Sequence, residues 1–360
     1  MLAERLHSAW EARDKLLKVS TAPFNQYDTV EKAGEVALGS ALIKQKKAAC
    51  LIVAGGQGTR LGIQGPKGCV EVLPGKSLFQ IFADKIKAAE DSLSVAIMTS
   101  EENHAETIDF FEKHRYFGLE PSQIDFFSQS QFPFYDDHGN PIIDENGKMI
   151  SGPSGNGASL LHLVESGIWE KWNKRGVEYF TFVQVDNPLA DPFDPKFLGY
   201  HQKQKAEVTL KAILRDDPLE KVGVIVLKEG KVGVVEYNEM AEKERLAKDS
   251  NGQLLYPCAN LSLFCFSMDF IHRLWKEKAW DKMPLHVAHK KVPKLNKSMG
   301  YKFEYFIFDV LPYSQQTKVI VYPRDQCYAP IKELKDIKIV KDKLLAHKDK
   351  GQRPLGQRGL

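Results

Sequence analysis

An unbroken apolar run, Ala48-Ala49-Cys50-Leu51-Ile52-Val53, empties into a glycine-dense segment that continues to Gly68. A short apolar run closed by glycines reads as a strand buried on both faces, which requires helical layers above and below it. The glycines add a chemical constraint. A loop without Cβ atoms can press its backbone N–H groups against an anion. Two familiar glycine loops do not fit. The dinucleotide fingerprint wants a third glycine three places after Gly58, where Leu61 stands, so a dehydrogenase reading fails. The P-loop wants Gly-Lys followed by Ser or Thr, and the text here is Pro66-Lys67-Gly68. Arg60 and Lys67 bring fixed positive charge to the same stretch, so the reading is a third kind of phosphate loop. The bland alternative is a tight turn. Such a turn has no use for the arginine and the Pro-Lys-Gly.

The rest of the chain repeats the layered pattern. A helix is expected from about Ser77 to Glu90, a strand at Ser94 to Thr99, a helix over 101–115, and strands at Ile124 to Phe127 and Tyr179 to Val185. Strands alternating with helices at this spacing predict an α/β fold with a doubly wound, mostly parallel sheet. Residues 208–237 differ. Lys228-Glu229-Gly230 between two apolar runs predicts an inserted antiparallel hairpin lying over the ligand edge of the sheet. Three parts are expected: a helical appendage over 1–45, a catalytic domain over 46–332, and a basic, poorly ordered tail over 333–360, dispensable from about 345.

Composition narrows the partners. Lys and Arg total 50 against 47 Asp and Glu, a formal charge of +3 in 360 residues. That balance argues against a nucleic-acid binder but allows a local basic cleft. No apolar stretch is long enough for a bilayer, and the start carries charges among Leu6, Trp10, Leu16 and Leu17, unlike a signal peptide. The five cysteines, Cys50, Cys69, Cys258, Cys265 and Cys327, form no CxxC pair and read as reduced thiols of a cytoplasmic protein. Acceptor-like Asn-x-Ser sites at Asn260 and Asn296 carry no weight without an export signal.

Leu51-x-x-x-Gly55-Gly56-Gln57-Gly58-Thr59-Arg60-Leu61-Gly62 with Pro66-Lys67-Gly68 resembles the signature of eukaryote-type UDP-sugar pyrophosphorylases, from about residue 48 to 332. Gln57 and Pro-Lys-Gly look most like the UDP-N-acetylhexosamine branch. The resemblance implies a nucleotide-binding α/β core, Mg²⁺, UTP and a sugar 1-phosphate as substrates, and direct displacement at phosphorus. It implies that Leu51, Ala54, Gly55, Gly56, Gly58, Thr59, Gln129 and Gly155 line the nucleotide. Asn156, Gly223, Glu236 and Asn260 would contact the sugar. Family members are often longer, with a further C-terminal domain that this chain is expected to lack.

Other segments support parts of this assignment. Tyr179 to Val185 ends in Asp186, and a carboxylate at the carboxyl end of such a strand suits a divalent ion bridging phosphates; the plain reading is a turn cap. Ser151-Gly152-Pro153-Ser154-Gly155-Asn156-Gly157 could grip a uracil edge or a hydroxyl, but Ala158-Ser159-Leu160-Leu161-His162 replaces the family's aromatic–Arg pair. His286 and His289 suggest zinc only superficially, with no Cys or acidic partner in sequence. The lysines beside them fit a phosphate contact, Lys290 by preference and Lys291 as the alternative. Glu304 and Asp309 read either as carboxylates behind the metal or as a solvent-facing helix. The expected activity is uridylyl transfer to a sugar 1-phosphate, with N-acetylglucosamine 1-phosphate favoured. Glucose 1-phosphate, a broad sugar range, or a non-catalytic UDP-sugar-binding protein are the rivals. Oligomeric state is open. Arg60, Lys67 and Lys290 would carry the charge stabilisation.

Overall fold

The computed structural model describes residues 2–13, 21–293, 295 and 298–349. In chain order the elements that shape the site are α1 (Leu2–Glu11), β1 (Thr21–Pro23), β2 (Asp28–Thr29), α2 (Val36–Lys44), β3 (Ala48–Val53), α3 (Leu78–Ala89), β4 (Ser94–Thr99), α4 (His104–Lys113), β5 (Ile124–Ser128), α5 (Ser159–Glu165), β6 (Tyr179–Gln184), α6 (Pro195–Lys203), β7 (Val208–Leu214), β8 (Val224–Lys228), β9 (Lys231–Val235), β10 (Cys258–Ser267), β11 (His286–Lys291), β12 (Met299–Glu304), β13 (Thr317–Val321) and α7 (Leu334–Asp349).

One large sheet runs in the order β2-β13-β7-β10-β6-β3-β4-β5. The pairs β6–β3, β3–β4, β4–β5, β7–β13 and β13–β2 are parallel, and β10 lies antiparallel between β6 and β7. The apolar run of β3 is buried from Ala48 to Ile52 because alternate residues serve two cores. Cys50 and Ile52 pack with Phe79, Phe82 and Ile86 of α3 on one face. Ala49 and Leu51 pack with Phe180, Phe182, Phe264 and Trp172 on the other. Ser77 caps α3 by accepting from Gln80 N–H at 3.1 Å. The expected hairpin is β8–β9; Glu229 and Gly230 both have positive φ (51° and 77°), as a two-residue hairpin turn requires. It joins the sheet at Val224, opposite Ala259 of β10, and β1 pairs with Val226 to Lys228 along the same edge of β8.

Both ends of the chain depart from expectation. Residues 1–45 are no appendage. β1 and β2 are strands of the main sheet, and α2 crosses α6 backbone to backbone, where a Cβ on Gly39 would collide with the Pro195 carbonyl and one on Gly199 with the Glu35 carbonyl. Leu6 of α1 is buried, and Arg5 donates to the Tyr305 hydroxyl at 2.8 Å. The basic tail is ordered as α7 over most of 333–349, because Val340 and Leu344 are buried against the α3 core. Lysines at the intervening positions hide this amphipathic pattern from a composition count. Leu16, Leu17, Asn296 and residues 350–360 lie outside the described residues.

Candidate functional site

The parallel strands deliver their carboxyl ends to one edge. Val53 of β3 stands beside Gln184 of β6 and Met98 of β4, and Thr99 of β4 beside Ser128 of β5. The next residues of each strand, Gly55, Asp186 and Gln129, therefore converge. A Cβ on Gly55 would strike the Gln129 side-chain amide, so this glycine makes room for that buried glutamine. Gly56 has nothing within 4 Å of where a Cβ would be, so no protein packing demands a glycine there. The N–H groups of Gly55, Gly56 and Gln57 find no protein acceptor among the described residues. Three consecutive free amides beside open space form an anion cradle.

The loop is held from behind. Lys67 N–H donates to Gly56 O at 3.0 Å and Gly58 N–H to Gly65 O at 2.8 Å. Asn103, fully buried at the start of α4, donates from Nδ2 to the carbonyls of Ala54 (3.0 Å) and Gly56 (3.3 Å). Its own Oδ1 accepts from Ser100 N–H at 2.8 Å. No local motif signals Asn103. Three expected nucleotide contacts change meaning. Leu51 is sealed in the core, away from the loop. Ala54 has its N–H on Met98 O and its carbonyl on Asn103, leaving nothing to offer a ligand. Gly58 makes room for Ile63 rather than for a ligand. Thr59 and Arg60 are exposed on the outer turn of the loop, and Arg60 makes no ion pair among the described residues.

Asp186 is the electrostatic centre. Lys67 Nζ donates to its Oδ2 at 3.1 Å and Lys332 Nζ to the same oxygen at 2.7 Å. Burial alone would raise this carboxyl; Lys332 and then Lys67 outweigh it and hold it below the ordinary carboxylate range. Lys332 was missed in the sequence because it lies 146 positions away in a lysine-rich stretch. A strap brings it in. Asn187 Nδ2 donates to Cys327 O at 2.8 Å, Asn187 Oδ1 accepts from Ala329 N–H at 3.0 Å, and Ile331 N–H donates to Asp186 O at 2.8 Å. No group of three or more His, Cys, Asp or Glu that could hold a metal occurs among the described residues. One carboxylate at a phosphate cradle suits a hard cation that takes its other ligands from phosphates and water.

A second cluster stands across the edge. Asn260 N–H donates to Gly223 O at 2.8 Å, and a Cβ on Gly223 would lie 3.0 Å from Glu236 Oε1. Gly223, Glu236 and Asn260 are thus one unit. Glu236 has no side-chain hydrogen bond or ion pair among the described residues. Burial first, and Glu239 second, raise its carboxyl above the ordinary value. The oxygens of both asparagines are partly engaged by the chain: Asn260 Oδ1 accepts from Ser262 N–H at 3.2 Å and Asn156 Oδ1 from Ile307 N–H at 3.0 Å. Each keeps a second lone pair and an NH₂ group, so the paired donor and acceptor survives with one acceptor site fewer. Gly155, at φ +92°, is demanded by the Tyr305 carbonyl it packs against. Asp309 is buried with His286, so the solvent-facing helix is ruled out; Glu304 pairs with Lys302 at 2.7 Å.

Lys290 is not brought to Asp186. It is exposed on β11 with no ion pair among the described residues, as is Lys291, while Lys332 pairs with Asp186. His286 and His289 fall on opposite faces of that strand and cannot share an ion.

The family model described as UTP–glucose-1-phosphate uridylyltransferase matches residues 2–357. The chain belongs to this family. It is 38% identical over 324 residues to a probable UDP-N-acetylglucosamine pyrophosphorylase of Dictyostelium discoideum, covering 82% of this chain and 66% of the relative. It is 36% identical to UDP-N-acetylglucosamine diphosphorylase 2 of Arabidopsis thaliana, covering 82% and 63%. The chain spans about two thirds of the length of these curated relatives. The crystal structure of the Trypanosoma brucei UDP-N-acetylglucosamine pyrophosphorylase with an inhibitor superposes at a TM-score of 0.84 and 29% identity, over 97% of this chain and 76% of that one. A Trypanosoma brucei UDP-glucose phosphorylase at 19% identity and a TM-score of 0.77 shares the fold. No described helix is long and apolar enough to cross a membrane.

Proposed function

We propose that the chain transfers uridylyl groups from UTP to a sugar 1-phosphate, releasing pyrophosphate, with N-acetylglucosamine 1-phosphate the preferred sugar. The observation that carries this reading is the convergence of Lys67 and Lys332 on Asp186 at the mouth of the Gly55–Gln57 cradle. A sugar-phosphate oxygen attacks the α-phosphorus of UTP, and the bond from that phosphorus to the oxygen shared with the β-phosphorus breaks, so that oxygen leaves with its electron pair on pyrophosphate. The chain supplies position and charge, with no covalent intermediate. The free amides of Gly55, Gly56 and Gln57 bind phosphate oxygens. Lys67 and Lys332 neutralise the charge that builds on the transferring phosphoryl group. Arg60 extends the positive field on the exposed turn. Gln129, wedged against Gly55, reads the uracil. Glu236 accepts from sugar hydroxyl or amide N–H groups, and the amides of Asn156 and Asn260 donate to the sugar.

Mg²⁺ is the proposed ion, held on the protein side by Asp186; when bound it supplies positive charge to the phosphates. Curated relatives named for UDP-N-acetylglucosamine favour that sugar, and glucose 1-phosphate is the second reading. The five free thiols, four of them buried, fit a reducing, cytoplasmic setting. The test is pyrophosphate release from UTP, Mg²⁺ and a panel of sugar 1-phosphates. A higher kcat/KM for N-acetylglucosamine 1-phosphate than for glucose 1-phosphate is expected. Equal values or a glucose preference move the sugar assignment, and no release with any sugar leaves a binding protein.

A further inference from the structure

His286 is used by none of the chemistry above, yet it is the most heavily tied side chain on the sugar side. Its Nδ1 meets Glu239 Oε1 at 3.1 Å and its Nε2 meets Asp309 Oδ2 at 3.0 Å. The ring packs on Phe306, with centroids 4.1 Å apart. An imidazole that donates from both nitrogens to carboxylates is an imidazolium. Asp309 Oδ2 also accepts from Phe306 N–H at 3.2 Å, and Glu239 Oε2 accepts from the N–H of Glu236 at 3.2 Å. A single cation therefore links β11, the 306–309 turn and the segment after β9 that carries Glu236. The Glu236 carboxylate itself has no protein donor among the described residues and sits over Gly223, bounded on one side by that glycine's missing side chain.

We propose that His286 is a positioning residue for sugar recognition: through Glu239 it fixes the backbone of Glu236 so that the unpaired Glu236 carboxylate meets the sugar. The inference rests on the uridylyltransferase reading and on Glu236 facing the sugar. It absorbs the His-x-x-His segment without a metal. The charged groups around His286 are Glu239 and Glu236 on the segment after β9, Asp309 on the 306–309 turn, Glu304 opposite it on β12, and Lys228 of β8 beyond the two glutamates. Burial works against the charged ring, but hydrogen bonds from Asp309 and Glu239 prevail and raise His286 to about 9. The clamp is complete below that pH and is lost as pH rises through it.

The experiment compares wild type with His286→Gln, which keeps one donor and loses the charge, and with His286→Phe, which keeps the ring packing. KM for the sugar 1-phosphate and KM for UTP are measured from pH 7 to 10. Expected is a sugar KM raised roughly tenfold in both variants at pH 7.5, with UTP KM within twofold of wild type. The wild-type sugar KM should rise above pH 9 and the His286→Gln profile should lack that rise. An unchanged sugar KM, equal rises in both KM values, or the same alkaline rise in wild type and variant overturns the proposal. A wild type with no turnover on any sugar 1-phosphate overturns the uridylyltransferase reading beneath it, and this inference with it; an active wild type beside unperturbed variants overturns the inference alone.

Discussion

The two halves of the cleft are built by different means. The phosphate half is backbone: three amides of one glycine loop, pinned by Asn103 and flanked by the buried pair Lys67 and Asp186 with the exposed Lys332 closing on the same carboxylate. The half proposed for the sugar is side chains on pieces gathered from the segment after β9, from β10, β11 and the 306–309 turn, held together by hydrogen bonds and one imidazolium. A backbone cradle recognises any phosphate and tolerates little change of shape. A gathered set of side chains can be re-tuned residue by residue. Chemistry common to a family belongs in the first kind of construction and substrate choice in the second.

That contrast can be broken by experiment. The largest effect is expected at the lysines on Asp186. Lys67→Ala or Lys332→Ala should lower kcat by about a hundredfold or more, the size of a lost charge-stabilising group. Normal turnover by a folded Lys67→Ala protein would remove the phosphate half from the mechanism. Next comes Glu236→Gln on the other side. Sugar kcat/KM should fall by about ten- to a hundredfold, equivalent to about 1–3 kcal/mol for a buried partner left unpaired, while UTP KM stays level. A matching rise in UTP KM would show that the halves are one unit. Smaller again, Asn103→Ala should raise UTP KM several-fold with sugar KM unchanged; steady-state kinetics at saturating second substrate distinguishes the two. The smallest effect concerns acid. The Asp186 carboxyl is lowered in the fold, so its stabilising contribution is present above the ordinary carboxylate value and is lost only as pH falls through the depressed one. Mild acid, near pH 5, should therefore leave the Asp186 contribution in place in the wild type. In Lys332→Ala, loss of stability in a thermal melt should begin at a higher pH than in wild type.

The contrast also explains what was readable in advance. Contiguous features were legible. The strand and loop from Ala48 to Gly68 announced both the buried sheet and the anion cradle, and Asp186 followed from its place at a strand end. Lys332 was not legible, because a lysine acquires meaning only when Asn187 straps residues 327–331 beside it. Lys290 was preferred as a phosphate contact on its neighbours in sequence, and it stands exposed on β11. The glycines mislead in a related way. Gly58 and Gly155 serve Ile63 and Tyr305, and of the four glycines expected at the nucleotide Gly56 alone stands in open space. The reading of 333–360 as a basic tail rested on charge density and took no account of the helical spacing of Val340 and Leu344.

The crossing of α2 over α6 sets an order on the birth of the molecule. Gly39 and Gly199 touch across roughly a hundred and sixty positions, and β2 closes the sheet only when β13 is present. As the chain leaves the ribosome, α2 has no surface to settle on until α6 has been made, and in that interval exposed apolar faces invite wrong partners. Gly199→Ala would lengthen that wait without touching the cleft. Yield of folded protein in the cell should then drop more steeply than the activity of the molecules that mature.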